Sequence, residues 1–175
     1  VAPEALSCLG LVVIPEFVTR DHEDAVVSLL DANKSAPGRD RNRILRYGSG
    51  VRASHYTSGV VFADIPGELE AIGDLLIAQG LVDHHQNAIT INEYLPGQGL
   101  GFHTDAEQAG GVVSIVGLVA DAQIAFRRWD IPGVHELTFA RRSLVQISGP
   151  CRWNPWQHAI LPVTERRISI VYRCA

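Results

Sequence analysis

Seven short runs rich in valine, isoleucine and threonine, separated by glycine or proline, fill the last part of the chain, at 88–94, 111–119, 123–127, 133–139, 143–148, 156–161 and 167–173. β-Branched runs at this near-regular spacing point to a sandwich or barrel of antiparallel strands. Ahead of them the apolar period changes. Residues 9–14 read as a strand that stops at Pro15, and Thr19 or Asp21 can cap a helix with Ala25, Val26, Leu29 and Leu30 on one face. Pro66-Gly67 opens a second helix carrying Leu69, Ile72, Leu75 and Leu76, with Gly80 available at its end. The expected fold class is α+β, mainly β: a jelly roll with N-terminal helices packed on it. One domain is expected over 1–175, with an N-terminal α/β part at 1–86 and the β core at 87–175.

Composition removes several function classes. Apolar residues make up 46% of the chain and charged residues 19%, which excludes a disordered tail protein. No apolar run approaches the roughly 18 residues of a membrane span, and the first residues lack a basic stretch followed by an apolar one. A monomer inside the cell, cytoplasmic or nuclear, without membrane contact, is expected. Cys8, Cys151 and Cys174 are odd in number and widely spaced, so neither a disulfide framework nor a cysteine zinc site is indicated. The net charge of −4 and pI of about 5.9 disfavour binding nucleic acid through phosphates alone. Charge is nevertheless uneven, because five arginines and one aspartate lie within 39–56.

His103-Thr-Asp105 places two metal-capable side chains two residues apart, and extended backbone sends both to one face. His158 lies far downstream near the start of an expected strand, where antiparallel folding can bring it opposite the first pair. Two imidazoles and one carboxylate make a facial triad with open coordination positions, the arrangement of non-haem Fe(II) oxygenases, with zinc as the rival ion. His-x-Asp alone is a common coincidence. The last run adds weight, because its alternation puts Arg167, Ser169, Val171 and Arg173 on one face and Ile168, Ile170 and Tyr172 on the other. The arginine face is either solvated or turned inward toward a dicarboxylate, which guanidinium groups grip in bidentate fashion. Asn92 and Tyr94 likewise share a face, so an amide and a phenol can donate to the same anion or simply pair at a sheet rim.

Taken in order, Asn92-x-Tyr94, His103-x-Asp105, His158 and Arg167-x5-Arg173 resemble the AlkB family of Fe(II)- and 2-oxoglutarate-dependent dioxygenases. The stretch from Arg142-Ser-Leu through Ser148-Gly to His158 is similar to the animal branches of that family, and the likeness covers 43–173. The resemblance implies a double-stranded β-helix with Fe(II) held by His103, Asp105 and His158. It also implies 2-oxoglutarate contacted by Asn92, Tyr94, Arg167 and Arg173, and O2 as the second co-substrate. Ser169 stands in a co-substrate position where the bacterial form commonly has asparagine. The implied activity is oxidative demethylation or hydroxylation of an alkylated base in single-stranded DNA or RNA.

By the same resemblance, 39–56 sits where these proteins carry a nucleotide-recognition lid. Its Arg43, Arg46, Tyr47 and Tyr56 can clamp a phosphate and a stacked base, and the competing reading is a solvated charged hairpin. Trp156 either walls the substrate pocket or belongs to the core. Two other functions remain open: the same chemistry on a protein side chain or small molecule, and a non-catalytic jelly-roll binding module.

Overall fold

The computed structural model describes residues 4–7, 9–33, 43–48, 60–62 and 64–174. In chain order these form α1 (Glu4–Ser7), β1 (Leu11–Ile14), α2 (Arg20–Ala32), β2 (Arg43–Tyr47), β3 (Val60–Phe62) and α3 (Gly67–Ala78). There follow β4 (Ala88–Tyr94), β5 (Leu100–His103), β6 (Val113–Leu118), β7 (Ala122–Arg128), β8 (His135–Phe139), β9 (Leu144–Ile147), β10 (Trp156–Ile160) and β11 (Arg167–Arg173). The strands make a large sheet ordered β1-β9-β6-β11-β4-β2-β3 and a small one ordered β5-β10-β7-β8. The two sheets face each other as the double-stranded β-helix of the expected jelly roll.

Alternation in β11 explains the layering. Ile168, Ile170 and Tyr172 pack with Ile89 and Ile91 of β4 against Val26 and Leu30 of α2 and Leu69, Ile72 and Leu76 of α3. The opposite face of the same sheet looks at the small sheet, where Tyr94, Ile115 and Val171 meet Ile124, Phe126, Leu137 and Ile160. Because β11 is paired with β4 on one side and β6 on the other, its polar inward residues are buried without solvent access from the edges. Thr19 caps α2 by accepting from the His22 amide, and the His22 ring accepts from the Thr19 amide in return. Gly80, one residue past the C-cap Gln79 of α3, takes the left-handed conformation that glycine tolerates.

Three strands go beyond the sequence expectation. Residues 43–47, expected as part of a charged lid, form β2, an interior strand that pairs antiparallel with β4 and parallel with β3. The glycine-rich approach to His103 closes into β5. The rest of the lid expectation, including Tyr56, lies outside the described residues.

One buried acid ties α2 to the sheet. Glu23, 1% exposed, accepts from the Val119 amide and from Arg141 Nε at 2.9 and 3.0 Å. Burial alone would raise its carboxyl. The hydrogen bonds from Arg141 and Val119 and the charges of Arg141 and Arg142 instead hold it below the ordinary glutamate range. Glu23→Ala is expected to cost about 1–3 kcal/mol, because the Val119 N–H loses its acceptor. Urea denaturation at neutral pH reads this directly, and an unchanged midpoint would mean that water satisfies Val119 equally well. A lowered folded pKa means that the contribution is complete above the unfolded value and is lost as pH falls through the folded one.

Candidate metal centre

His103 ends β5, and His158 sits directly across from it in β10, the two being Cα partners in the ladder. Asp105 lies two residues beyond the strand, in the loop that leads into a short 3-10 turn at Glu107–Ala109. One ligand atom from each of the three residues lies within 4.8 Å of the others, and Asp105 Oδ2 is 3.6 Å from His158 Nε2. The loop is drawn onto β10 by Thr104, whose hydroxyl donates to the Trp156 carbonyl at 2.6 Å. The middle residue of His-x-Asp is therefore structural, a role that its type alone did not announce.

The surroundings of the trio suit a cation. His103 Nδ1 is 2.9 Å from the Gly101 carbonyl, which can accept a hydrogen bond from it and so orient the ring. Burial, with the neighbouring His103 next in weight, pushes the His158 imidazole down to about 3, so it is neutral at pH 7. Burial would raise Asp105, but Arg173 first, then His158, His103 and Arg152, hold its carboxyl below the ordinary range. Its Oδ1 accepts from Arg173 at 2.7 Å, whereas Oδ2 is buried with no hydrogen-bond partner. Two imidazoles and an ionised carboxylate with an orphaned oxygen fit a divalent cation such as Fe(II).

Beside this trio, the inward face of β4 and β11 forms the wall of a pocket. Asn92, Tyr94, Ser169 and Arg173 line it together with His103 and His158, and Ser169 faces Asn92 and Gly117 across the two ladders. Arg167, Cα partner of Tyr94, is fully buried. Its guanidinium lies over the Phe139 ring at 4.4 Å and donates through NH1 to the Ala120 carbonyl. Gly117 makes room for it, since a Cβ there would stand 2.1 Å from NH2. Burial lowers Arg167 to about 10, so it stays charged at neutral pH. Burial likewise raises Tyr94, leaving its phenol protonated and able to donate.

Nine buried side-chain nitrogen or oxygen atoms among the described residues lack a hydrogen-bond partner, and five of them belong here: Asp105 Oδ2, Arg167 Nε and NH2, Ser169 Oγ and Arg173 Nε. Buried polar groups are normally satisfied, so such a concentration stands out among the described residues. The four donors among them suit an anion and the lone oxygen suits a metal. Arg173 divides its attention, reaching Asp105 and, at 3.3 Å, Thr90.

The residues expected on the substrate side are placed differently. Arg43 forms an ion pair with Glu93 at 2.8 Å and lies 3.7 Å from Asp31, and Tyr47 is buried with its ring stacked on Phe62. Arg46 is buried on the inward face of β2, opposite Thr90. These three do not present the expected joint clamp. Acidic partners distant in sequence, invisible in a local reading, account for Arg43. Trp156 is half-buried on the same strand face as His158, with its ring 6.2 Å from that of His135 at the mouth of the small sheet. Arg152, which the sequence reading passed over, is 2% exposed and donates to three carbonyls of the loop that carries Asp105.

Comparison with known proteins agrees with this architecture. No protein-family model matches the chain. The ALKBH8 protein of Mus musculus, a tRNA (carboxymethyluridine(34)-5-O)-methyltransferase by name, is 27% identical over 163 residues, which is 87% of this chain and 24% of that protein. The chain thus spans about a quarter of the length of that relative. Two solved structures share the fold: OsALKBH1, with a TM-score of 0.69 at 15% identity over 94% of this chain and 97% of that one, and a Pseudomonas putida prolyl-4-hydroxylase, with a TM-score of 0.59 at 19% identity over 98% and 96%. Among the described residues, no helix is long and apolar enough to cross a membrane. The chain is thus similar in sequence to ALKBH8 over most of its own length, and it shares its fold with OsALKBH1 and with the prolyl-4-hydroxylase.

Proposed function

We propose that this chain is an Fe(II)- and 2-oxoglutarate-dependent dioxygenase that demethylates or hydroxylates an alkylated base in single-stranded DNA or RNA. The observation that carries the chemistry is the convergence of His103, Asp105 and His158 beside unpartnered buried donors on the adjoining strands. Once bound, iron and 2-oxoglutarate supply the O2-driven oxidation of a C–H bond, with succinate and CO2 as the other products. His103, Asp105 and His158 would hold the metal. Arg167 and Tyr94 would receive the distal carboxylate of the diacid, with Asn92, Ser169 and Arg173 at its other end. Leu100, Ile115, Ile160 and Val171 give the pocket an apolar lining that limits water, and Trp156, two residues before His158 on the same strand, would flank an incoming base.

The base as substrate is supported by the likeness to ALKBH8, whose name places it on tRNA. A second reading keeps the chemistry but turns it on a protein side chain or small molecule. It is favoured by the internal pairing of Arg43 and by the shared fold of the prolyl-4-hydroxylase. The separating experiment loads the protein anaerobically with Fe(II) and 2-oxoglutarate, then admits O2 with a panel of methylated oligonucleotides. The first reading expects succinate matched by formaldehyde plus hydroxylated base, dependent on both additions. Succinate coupled to no formaldehyde and no hydroxylated base on any oligonucleotide selects the second. A protein that binds neither metal nor diacid is a binding module, and both readings fall.

A further inference from the structure

Arg152 is an arginine with almost no access to water, at the end of a short turn spanning Gly149–Arg152. Its three guanidinium nitrogens each donate to a different backbone carbonyl: Nε to Gly110 at 3.0 Å, NH1 to Asp105 at 3.0 Å and NH2 to Ala106 at 2.7 Å. All three acceptors lie in the loop that begins with the candidate metal-binding carboxylate. The turn itself is anchored from behind, because the Cys151 amide donates to the Leu9 carbonyl at 3.0 Å and the Ser148 amide to the Gly10 carbonyl at 2.9 Å. The Trp153 ring covers the guanidinium at 4.4 Å.

Burying a guanidinium is costly, and a lysine could not reproduce this fork, since its single ammonium cannot span three diverging carbonyls. The bonds are spent entirely on the path of the main chain from 105 to 110. Of the three candidate ligands, Asp105 alone lies outside a strand, so no sheet hydrogen bonds fix its backbone. Arg173 grips its carboxylate from one side, and Arg152 grips its peptide from the other.

We infer that Arg152 is a positioning residue for the metal centre, holding the 105–110 loop so that the Asp105 carboxylate is preset opposite His103 and His158. This rests on the metal-binding reading above and assigns Arg152 no contact with metal or substrate. The test is Co(II) titration of metal-free protein, followed by its visible absorption, for wild type, Arg152→Lys and Trp153→Ala. Partners that orient metal ligands are typically worth 10- to 100-fold in affinity, so Arg152→Lys should weaken Co(II) binding by about that factor. Trp153→Ala, which removes only the cover over the guanidinium from a partly exposed site, should weaken it several-fold in the same direction.

The iron concentration needed for half-maximal 2-oxoglutarate turnover should rise in parallel, while turnover at saturating iron stays within about twofold of wild type. A purely structural arginine would lower stability without that split. A folded Arg152→Lys protein with wild-type Co(II) affinity would overturn the inference. If Arg152→Lys does not fold, unchanged affinity in Trp153→Ala overturns it equally. Wild-type protein that binds no Co(II) removes the metal-binding reading along with the inference, whereas wild-type binding with unaltered variants removes the inference only.

Discussion

Replacing Arg167 with methionine is expected to abolish 2-oxoglutarate binding while leaving the ligand-free protein about as stable as wild type. The two effects have separate origins. In the ligand-free protein Arg167 is a buried charge with two unpartnered nitrogens, Nε and NH2, and only NH1 has an acceptor in Ala120. Substituting an unbranched apolar side chain gives up one hydrogen bond of about 1 kcal/mol and relieves the desolvation of a guanidinium, so the sum is near zero or stabilising. A diacid whose far carboxylate enters the same place without a counter-charge loses a buried ion pair. Breaking such a pair costs about 3–5 kcal/mol, or two to three and a half orders of magnitude in Kd at about 1.4 kcal/mol per decade. Calorimetric titration of 2-oxoglutarate into metal-loaded protein measures the second effect, and the melting temperature without ligand measures the first. Unchanged affinity would show that the diacid binds elsewhere. A large fall in melting temperature would make Arg167 a scaffold residue.

Asp105→Ala is expected to eliminate tight divalent-metal binding and, with it, 2-oxoglutarate turnover, without loss of β structure by circular dichroism. The carboxylate is the only anionic member of the trio, and it also neutralises Arg173, 2.7 Å away. Its removal leaves two imidazoles and two nearby guanidinium groups around the metal position, a field that repels a cation. Because orienting partners alone are worth up to about 100-fold, loss of a ligand together with the local charge balance should exceed that. Asp105→Asn keeps the shape and removes the charge, and it should fall on the same side. Metal affinity within tenfold of wild type in either variant would mean that the ion is held by other groups.

Much of this was legible in the sequence for a definite reason. The strands that became β4 and β6 to β11 are two-faced, and alternation of β-branched with small or polar residues specifies both their existence and which side faces inward. That is why Arg167, Ser169 and Arg173 could be assigned one face from letters alone. The convergence of His103, Asp105 and His158 was legible because metal-capable side chains are chemically distinctive and the pair spacing is local. What escaped was of another kind. β2 reads Arg-Ile-Leu-Arg-Tyr, with a charge on each face, and only Glu93 and Asp31, far away in the chain, turn Arg43 into an interior partner rather than a surface cation. β5 is hidden by its glycines. Arg152 left no trace because all its acceptors are backbone carbonyls, which every residue type supplies alike.

The two halves of the metal centre are not equally built into the scaffold. β10 is flanked by β5 and β7, so His158 is carried by a strand locked on both edges, whereas β5 is a four-residue border strand with one neighbour and a gap in its register between His158 and Ile160. Border strands open more readily than interior ones. The trio is therefore supported unevenly: one imidazole sits on an interior strand, whereas the other imidazole and the carboxylate sit on a border strand and its loop, which Thr104, Arg152 and Arg173 hold in place. A cation bound by all three side chains would rivet the hem of the small sheet to its interior strand, so metal loading should slow amide exchange at 100–105 more than at 156–160.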